Sequence, residues 1–226
     1  MYKYILFDAD NTLFDYDKIE KTAIKSLFKK YGIKENLSKE LSKITDMLWK
    51  LIENGEINYN TLKKRRFEIF FEVFGIKNID VDEISYEYLK EIESCVCEYE
   101  ESFDVCDKLS QLGKKLYIIT NGTKNIQTAH FNGSSFKNFI KKEFISEDIG
   151  LYKPDKAYFD YVLKEIDASP EECLIVGDSL TSDILGGINS GIDTCWFNPY
   201  DKENTKSYIP TYTINALSEI IGIVGE

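Results

Sequence analysis

Two carboxylates one residue apart, Asp8 and Asp10, follow the apolar run Tyr4–Phe7. The run is aromatic and branched, which predicts a buried strand. A strand gains no stability from two acids at its tip, because like charges repel and resist desolvation. A bound cation would resolve the conflict, and in open parallel sheets ligands sit beyond the carboxyl ends of the strands. The competing reading makes the pair turn residues, with Asn11 and Thr12 completing the turn. Three later sites offer related chemistry. Thr120, Asn121 and Gly122 place a hydroxyl, an amide and a flexible backbone after a second apolar run, a cradle for phosphate or a plain turn with a helix cap. Asp178 follows Val176-Gly177, with Asp183 close behind; Asp178 or Ser179 could equally be a helix N-cap. Lys153 precedes Pro154, as an anion partner or as a solvated surface charge. What sets the group apart is order: each member stands at a strand end or at the start of the next helix.

The elements that must position these residues fall into two patterns. From about 17 to 99 the apolar spacing is helical four times over, in 17–31, from Ser38 to about Ile52 with Gly55 as its stop, 60–74 and 82–99. Short loops between them predict a small bundle, with its many Phe residues as core. The run Lys63, Lys64, Arg65, Arg66 reads as a solvated helix face, from which Arg66, beside Phe67, could instead reach a substrate. From about 100 onward strands alternate with helices: strands at 115–120, 144–146, 173–177, 194–197 and 212–214, and helices at 103–112, 125–131, 135–140, 155–166, 182–190 and 216–221. Such alternation predicts a mostly parallel sheet. The fold class is therefore α/β, with a helical insertion after the first strand. The expected boundaries are 1–15 with 100–226 for the core and 16–99 for the insertion.

Bulk properties narrow the function. A net charge of -11 disfavours a general nucleic-acid binder, which needs a basic surface. An anionic small substrate stays possible if a metal and a local Lys set the field. The cysteines, Cys95, Cys97, Cys106, Cys173 and Cys195, fit no zinc spacing and read as reduced thiols. No signal peptide and no bilayer-length apolar run point to a cytoplasmic protein without a membrane partner. The single histidine, His130, is expected on a helix surface or edge, and nothing places it in a Ser-His-Asp triad.

The order Asp8-Ala9-Asp10-Asn11-Thr12, then Thr120, then Lys153, then Gly177-Asp178 with Asp183 resembles the four motifs of the haloacid dehalogenase-like (HAD) superfamily. The likeness spans essentially the whole chain. It implies a Rossmann-like three-layer core with a parallel sheet and an inserted α-helical bundle as a cap of the first type. Thr120–Gly122, Ser146–Gly150 with Lys153-Pro154, Gly186–Asn189 and Thr194–Asn198 look like the noncanonical pyrimidine nucleotidase subfamily.

The resemblance implies roles residue by residue. Asp8 would be the nucleophile that forms an aspartyl-phosphate. Asp10 would be the general acid and base, a role worth about 10²–10⁴-fold. Mg²⁺ would take Asp8, the Asp10 backbone carbonyl and Asp178 as ligands, with Asp183 orienting a metal water or Lys153. Thr120 and the Asn121 backbone N–H would hold phosphate oxygens, and Lys153 would neutralise developing charge. An acid at Asp10 argues for a phosphate ester over a carbon–halogen bond, since halide leaves without a proton. The expected activity is a Mg²⁺-dependent phosphomonoesterase acting on a small-molecule phosphate ester, a pyrimidine nucleoside 5′-monophosphate first, in a monomer or homodimer. The alternatives are a phosphatase of sugar phosphates or phosphoglycolate, a phosphomutase, and a non-catalytic binding protein on the same fold.

Overall fold

The computed structural model describes residues 1–53 and 55–225, the Glu53 side chain excepted. The chain forms two compact units, Met1–Tyr16 with Val96–Glu226, and Asp17–Cys95.

In chain order the elements are β1 (Tyr4–Phe7), α1 (Tyr16–Tyr31), α2 (Ser38–Glu53), α3 (Tyr59–Phe74), α4 (Val81–Ser94), α5 (Ser102–Gln111), β2 (Lys115–Thr120), α6 (Lys124–Gly133), β3 (Ile140–Ile145), α7 (Ser146–Ile149), α8 (Lys156–Ile166), β4 (Cys173–Gly177), α9 (Leu185–Ser190), β5 (Asp193–Phe197), β6 (Tyr212–Ile214) and α10 (Ile220–Gly225). The six strands form one parallel sheet in the order β3-β2-β1-β4-β5-β6. The order reverses at β1, so the tips of β2, β1 and β4 are neighbours, the place where such sheets bind ligands. Register makes this concrete: Phe7 pairs with Ile118 and with Val176, and Asp8 N–H donates to Val176 O at 2.8 Å. β1 and β4 are buried along their whole length, as strands covered on both faces must be. Tyr4, Leu6, Tyr117, Ile119 and Ile175 pack with Tyr158, Phe159 and Val162 of α8 in one apolar layer.

The helical unit is held by aromatic packing. Phe28 stacks on Phe70 at 5.5 Å and Phe67 meets Tyr88 edge-on at 5.6 Å. Fully burying a side chain of this kind contributes roughly 1.5–3 kcal/mol. Asn58 caps α3 by accepting from Thr61 N–H at 3.0 Å, and Asp80 caps α4 by accepting from Glu83 N–H at 2.8 Å.

Several elements depart from expectation. The helix expected over 135–140 is a short 3₁₀ turn, Lys137–Phe139, and β3 already begins at Ile140. Its Lys141, Lys142 and Glu143 hide the strand pattern, and charges of this sort suit an edge strand. The fourth helix of the insertion ends at Ser94, not near Tyr99. The helix expected over 182–190 opens within a wide π-type turn, Leu180–Ile184, and is α-helical only over Leu185–Ser190. The second helix runs to Glu53, and its expected stop, Gly55, takes a left-handed φ of 73°. Among the described residues no disulfide joins the cysteines, and burial pushes the Cys106, Cys173 and Cys195 thiols up to about 12. No helix among the described residues is long and apolar enough to cross a membrane.

Candidate active site

Asp8 leaves β1 into a tight turn in which Leu13 and Phe14 N–H groups both donate to Ala9 O. Asn11 takes a positive φ of 60° inside it. The turn reading of this stretch holds, and it leaves the Asp8 carboxylate outside the turn's own backbone hydrogen bonds. Asp8 is 7% exposed, and Lys153 Nζ donates to its Oδ1 at 2.6 Å. Thr12 Oγ1 donates to its Oδ2 at 3.3 Å. Lys153, itself 3% exposed, also donates to Asp183 Oδ1 at 2.7 Å and to Ile119 O at 2.9 Å. All three ammonium hydrogens thus have acceptors. Burial opposes the Lys153 charge, but Asp183 and Asp8 outweigh it and hold its pKa above the ordinary value.

Asp183 is fully buried and committed at both oxygens, since Ser179 N–H donates to Oδ2 at 3.1 Å. Gly177 permits this approach: a Cβ there would lie 2.3 Å from Asp183 Oδ2. Ser179 Oγ accepts from Ser182 N–H at 3.2 Å, so the helix cap is Ser179 and not Asp178. The Asp178 backbone carbonyl is fixed by Trp196 Nε1–H at 2.8 Å.

Carboxylate oxygens of Asp8, Asp178 and Asp183 all lie within 4.8 Å of one another. Burial and the neighbouring acids raise Asp178 well above its ordinary range, and burial carries Asp8 up to about 7 against the pull of Lys153. The donor set is all oxygen, Asp8 and Asp183 are buried with Asp178 half-buried, and its negative charge exceeds what Lys153 supplies. Those are the properties of a site for a hard divalent cation. With Asp183 occupied by Lys153 and Ser179, Asp8 and Asp178 are the carboxylates with capacity to spare.

At the neighbouring strand tip, Thr120 Oγ1 accepts from Gly122 N–H at 2.9 Å, which leaves its own hydrogen to donate. The Asn121 side chain is spent inside the protein. Its Nδ2 donates to Lys153 O at 2.8 Å, and its Oδ1 accepts from Lys153 N–H at 2.9 Å and from Ser146 Oγ at 2.8 Å. Asn121 therefore clamps the Lys153 backbone, and only its main-chain N–H remains for an anion. The reach of Lys153 across the tip depends on that clamp.

Asp10 turns toward α6, where Gln127 Nε2 donates to its Oδ2 at 2.7 Å. Burial raises its pKa, and His130 and Gln127 pull it back. His130 is not at a helix surface: it is fully buried, against the Phe14 ring at 5.6 Å. Its polar type disguised an inward helix position. Ser146 and Trp196, which fall in the stretches Ser146–Gly150 and Thr194–Asn198, support the site as well. Gln127 and His130 support it without a local sequence signal, because only the packing of separate elements brings them there. Arg66 lies in the other unit. It is 2% exposed, with its guanidinium over the Tyr88 ring at 4.6 Å, and so is no part of a solvated face.

Comparison with known proteins agrees with this geometry. Residues 5–197 match the family model of haloacid dehalogenase-like hydrolases. The pyrimidine 5′-nucleotidase PynA of Streptococcus pneumoniae is 33% identical over 97% of this chain and 94% of its own length. The pyrimidine 5′-nucleotidase YjjG of Escherichia coli is 30% identical over 96% and 95%. The crystal structure of YfnB from Bacillus subtilis, bound to magnesium, superposes with a TM-score of 0.93 at 35% identity, covering 100% of this chain and 99% of that one. With the motif residues gathered at adjacent strand tips and the match running through nearly the whole sequence, the chain belongs to the haloacid dehalogenase-like hydrolase family.

Proposed function

We propose that this hydrolase is a Mg²⁺-dependent phosphomonoesterase that works through an aspartyl-phosphate on Asp8, with pyrimidine nucleoside 5′-monophosphates as its preferred substrates. The observation that carries the reading is a nucleophile-ready carboxylate, Asp8, held by Lys153 beside a second acid, Asp10, that takes no part in that ion pair. The nucleotide preference rests on the two pyrimidine 5′-nucleotidase relatives. Residues 17–95 would serve as the cap that selects the leaving group.

A carboxylate oxygen of Asp8 attacks phosphorus, and the bond to the ester oxygen breaks. Asp10, as the neutral acid, protonates that oxygen as it leaves. Asp10 then takes a proton from water, which attacks the phosphorus and restores Asp8. Lys153 restrains Asp8 and offsets charge in both steps. The Thr120 hydroxyl and Asn121 N–H would hold phosphate oxygens. Mg²⁺, held by Asp8, the Asp10 backbone carbonyl and Asp178 with Asp183 behind them, would supply charge neutralisation on the phosphoryl group.

The test is turnover of p-nitrophenyl phosphate with and without Mg²⁺, followed by a panel of nucleoside monophosphates, sugar phosphates and phosphoglycolate. Asp8→Asn should fold normally and lose turnover by on the order of 10⁴-fold or more. Wild-type rates in that variant would remove the nucleophile. A panel led by sugar phosphates would keep the chemistry and overturn the nucleotide preference.

A further inference from the structure

The two oxygens of Asp10 have different surroundings. Oδ2 accepts the Gln127 bond, whereas Oδ1 is buried without a hydrogen-bond partner. Gln127 stands on α6 and is 1% exposed. Withdrawing an amide from water is costly unless it is bonded. The chain has also made room for this amide. A Cβ on Gly122 would lie 2.3 Å from Gln127 Nε2 and 2.7 Å from its Cγ and Cδ. The turn that carries Thr120 and Asn121 is thus shaped around the Gln127 side chain.

We propose that Gln127 is a positioning residue for Asp10, one that reserves Oδ1 as the proton-carrying oxygen. The proposal rests on the acid–base role given to Asp10 above. An amide N–H can only donate, so the oxygen it meets must accept. The neutral acid then carries its hydrogen on Oδ1. Without that bond the carboxyl can rotate and present the proton in the wrong direction, and misplaced groups lose much of their catalytic effect. In the first step the Asp8 O–P bond forms, the ester P–O bond breaks with its electron pair passing to the leaving oxygen, and the Oδ1 proton moves to that oxygen. In the second, the water O–P bond forms, a water proton returns to Oδ1 and the Asp8 O–P bond breaks.

The signature is leaving-group dependence, which a merely structural role would not alter. kcat/KM would be measured with Mg²⁺ for aryl phosphates from p-nitrophenyl to phenyl and for one alkyl ester. Gln127→Met keeps the side-chain length and removes the donor. Gly122→Ala keeps the amide and displaces it. Both should lose activity in a graded way, with a fall at least about tenfold larger for the alkyl ester than for p-nitrophenyl phosphate. Asp10→Asn should show the same gradient, and Gln127→Met added to it should steepen it no further. A uniform fall across the series in both single variants, while Asp10→Asn keeps its gradient, overturns the positioning role. No gradient in Asp10→Asn overturns the acid role itself, and this proposal with it. Should Gln127→Met fold poorly, Gly122→Ala decides the matter, since its clash falls on the far end of a flexible side chain.

Discussion

Each unit buries a charged cluster, and the two are resolved in opposite ways. In the helical unit Glu20 accepts from Tyr88 Oη at 2.7 Å and from Ser42 Oγ at 3.0 Å. Arg66 adds a positive charge near it while resting on Tyr88 and donating to Leu62 O at 3.4 Å. One acid has two hydroxyl donors and a cation. In the α/β unit Asp8, Asp178 and Asp183 gather beside Lys153, whose three hydrogens go to two acids and a carbonyl, while Asp10 turns aside to Gln127. Buried charge is tolerated when paired and is costly when it is not. The first cluster is finished as structure. The second is left short of positive charge, which is what a site for a cation and a phosphoryl group requires.

The sharpest way to break this contrast is to remove the cation from each cluster. Lys153→Met should abolish turnover and, in metal-free protein, destabilise by about 3 kcal/mol, because Asp8 and Asp183 lose their counter-charge. Arg66→Met should cost a similar amount in urea denaturation yet leave the kcat of the remaining folded enzyme unchanged. An Arg66→Met enzyme that folds well but turns over poorly would move Arg66 from the bundle core to substrate recognition.

Metal binding sharpens the comparison further. Mg²⁺ at about 100 times its dissociation constant should stabilise the wild type by roughly 2.7 kcal/mol. A thermal melt reads this without substrate. Asp178→Asn should remove most of the shift, while Glu20→Gln should leave it intact. A full shift in Asp178→Asn would place the cation elsewhere.

The smallest expected effect concerns an acid in neither cluster. Glu143 lies on the edge strand β3, its Oε1 is buried without a hydrogen-bond partner, and burial raises its pKa from 4.5 to about 7. Folding raises this pKa, so the folded chain holds the proton more tightly than the unfolded one. The penalty is absent below roughly pH 4 and grows as pH climbs through about 7. Allowing for its partial exposure, Glu143→Gln should stabilise by about 1 kcal/mol at pH 8 and by nothing at pH 4. Equal stability of the two proteins at both pH values would show that an isolated acid here carries no penalty.

Much of the frame was legible along the chain because it rests on local patterns. Apolar runs of four to six residues ending in polar tips mark β1, β2 and β4. Helical spacing closed by Gly marks α1 and α3, where Gly32 and Gly75 take the left-handed conformation that favours glycine. The edge strand β3 was only half legible, because the successive charged residues Lys141, Lys142 and Glu143, which an edge position tolerates, break the apolar run. The burial of His130 is hidden for a related reason: a polar type on a short helix does not declare which side faces inward.

The residue types by themselves determined the candidate reagents: two acids after the first strand, a hydroxyl after the second, a lysine before Pro154 and an acid after the fourth strand. These are chemical identities, and they survive without coordinates. Tertiary structure alone decided how each polar atom is spent. Asn121 gives its side chain to the Lys153 backbone, Asp183 gives both oxygens to Lys153 and Ser179, and Asp10 leans on Gln127 through one oxygen. Hydrogen-bond partners far apart in the chain meet only when the strands lie side by side, so their allocation is a property of packing and not of spacing.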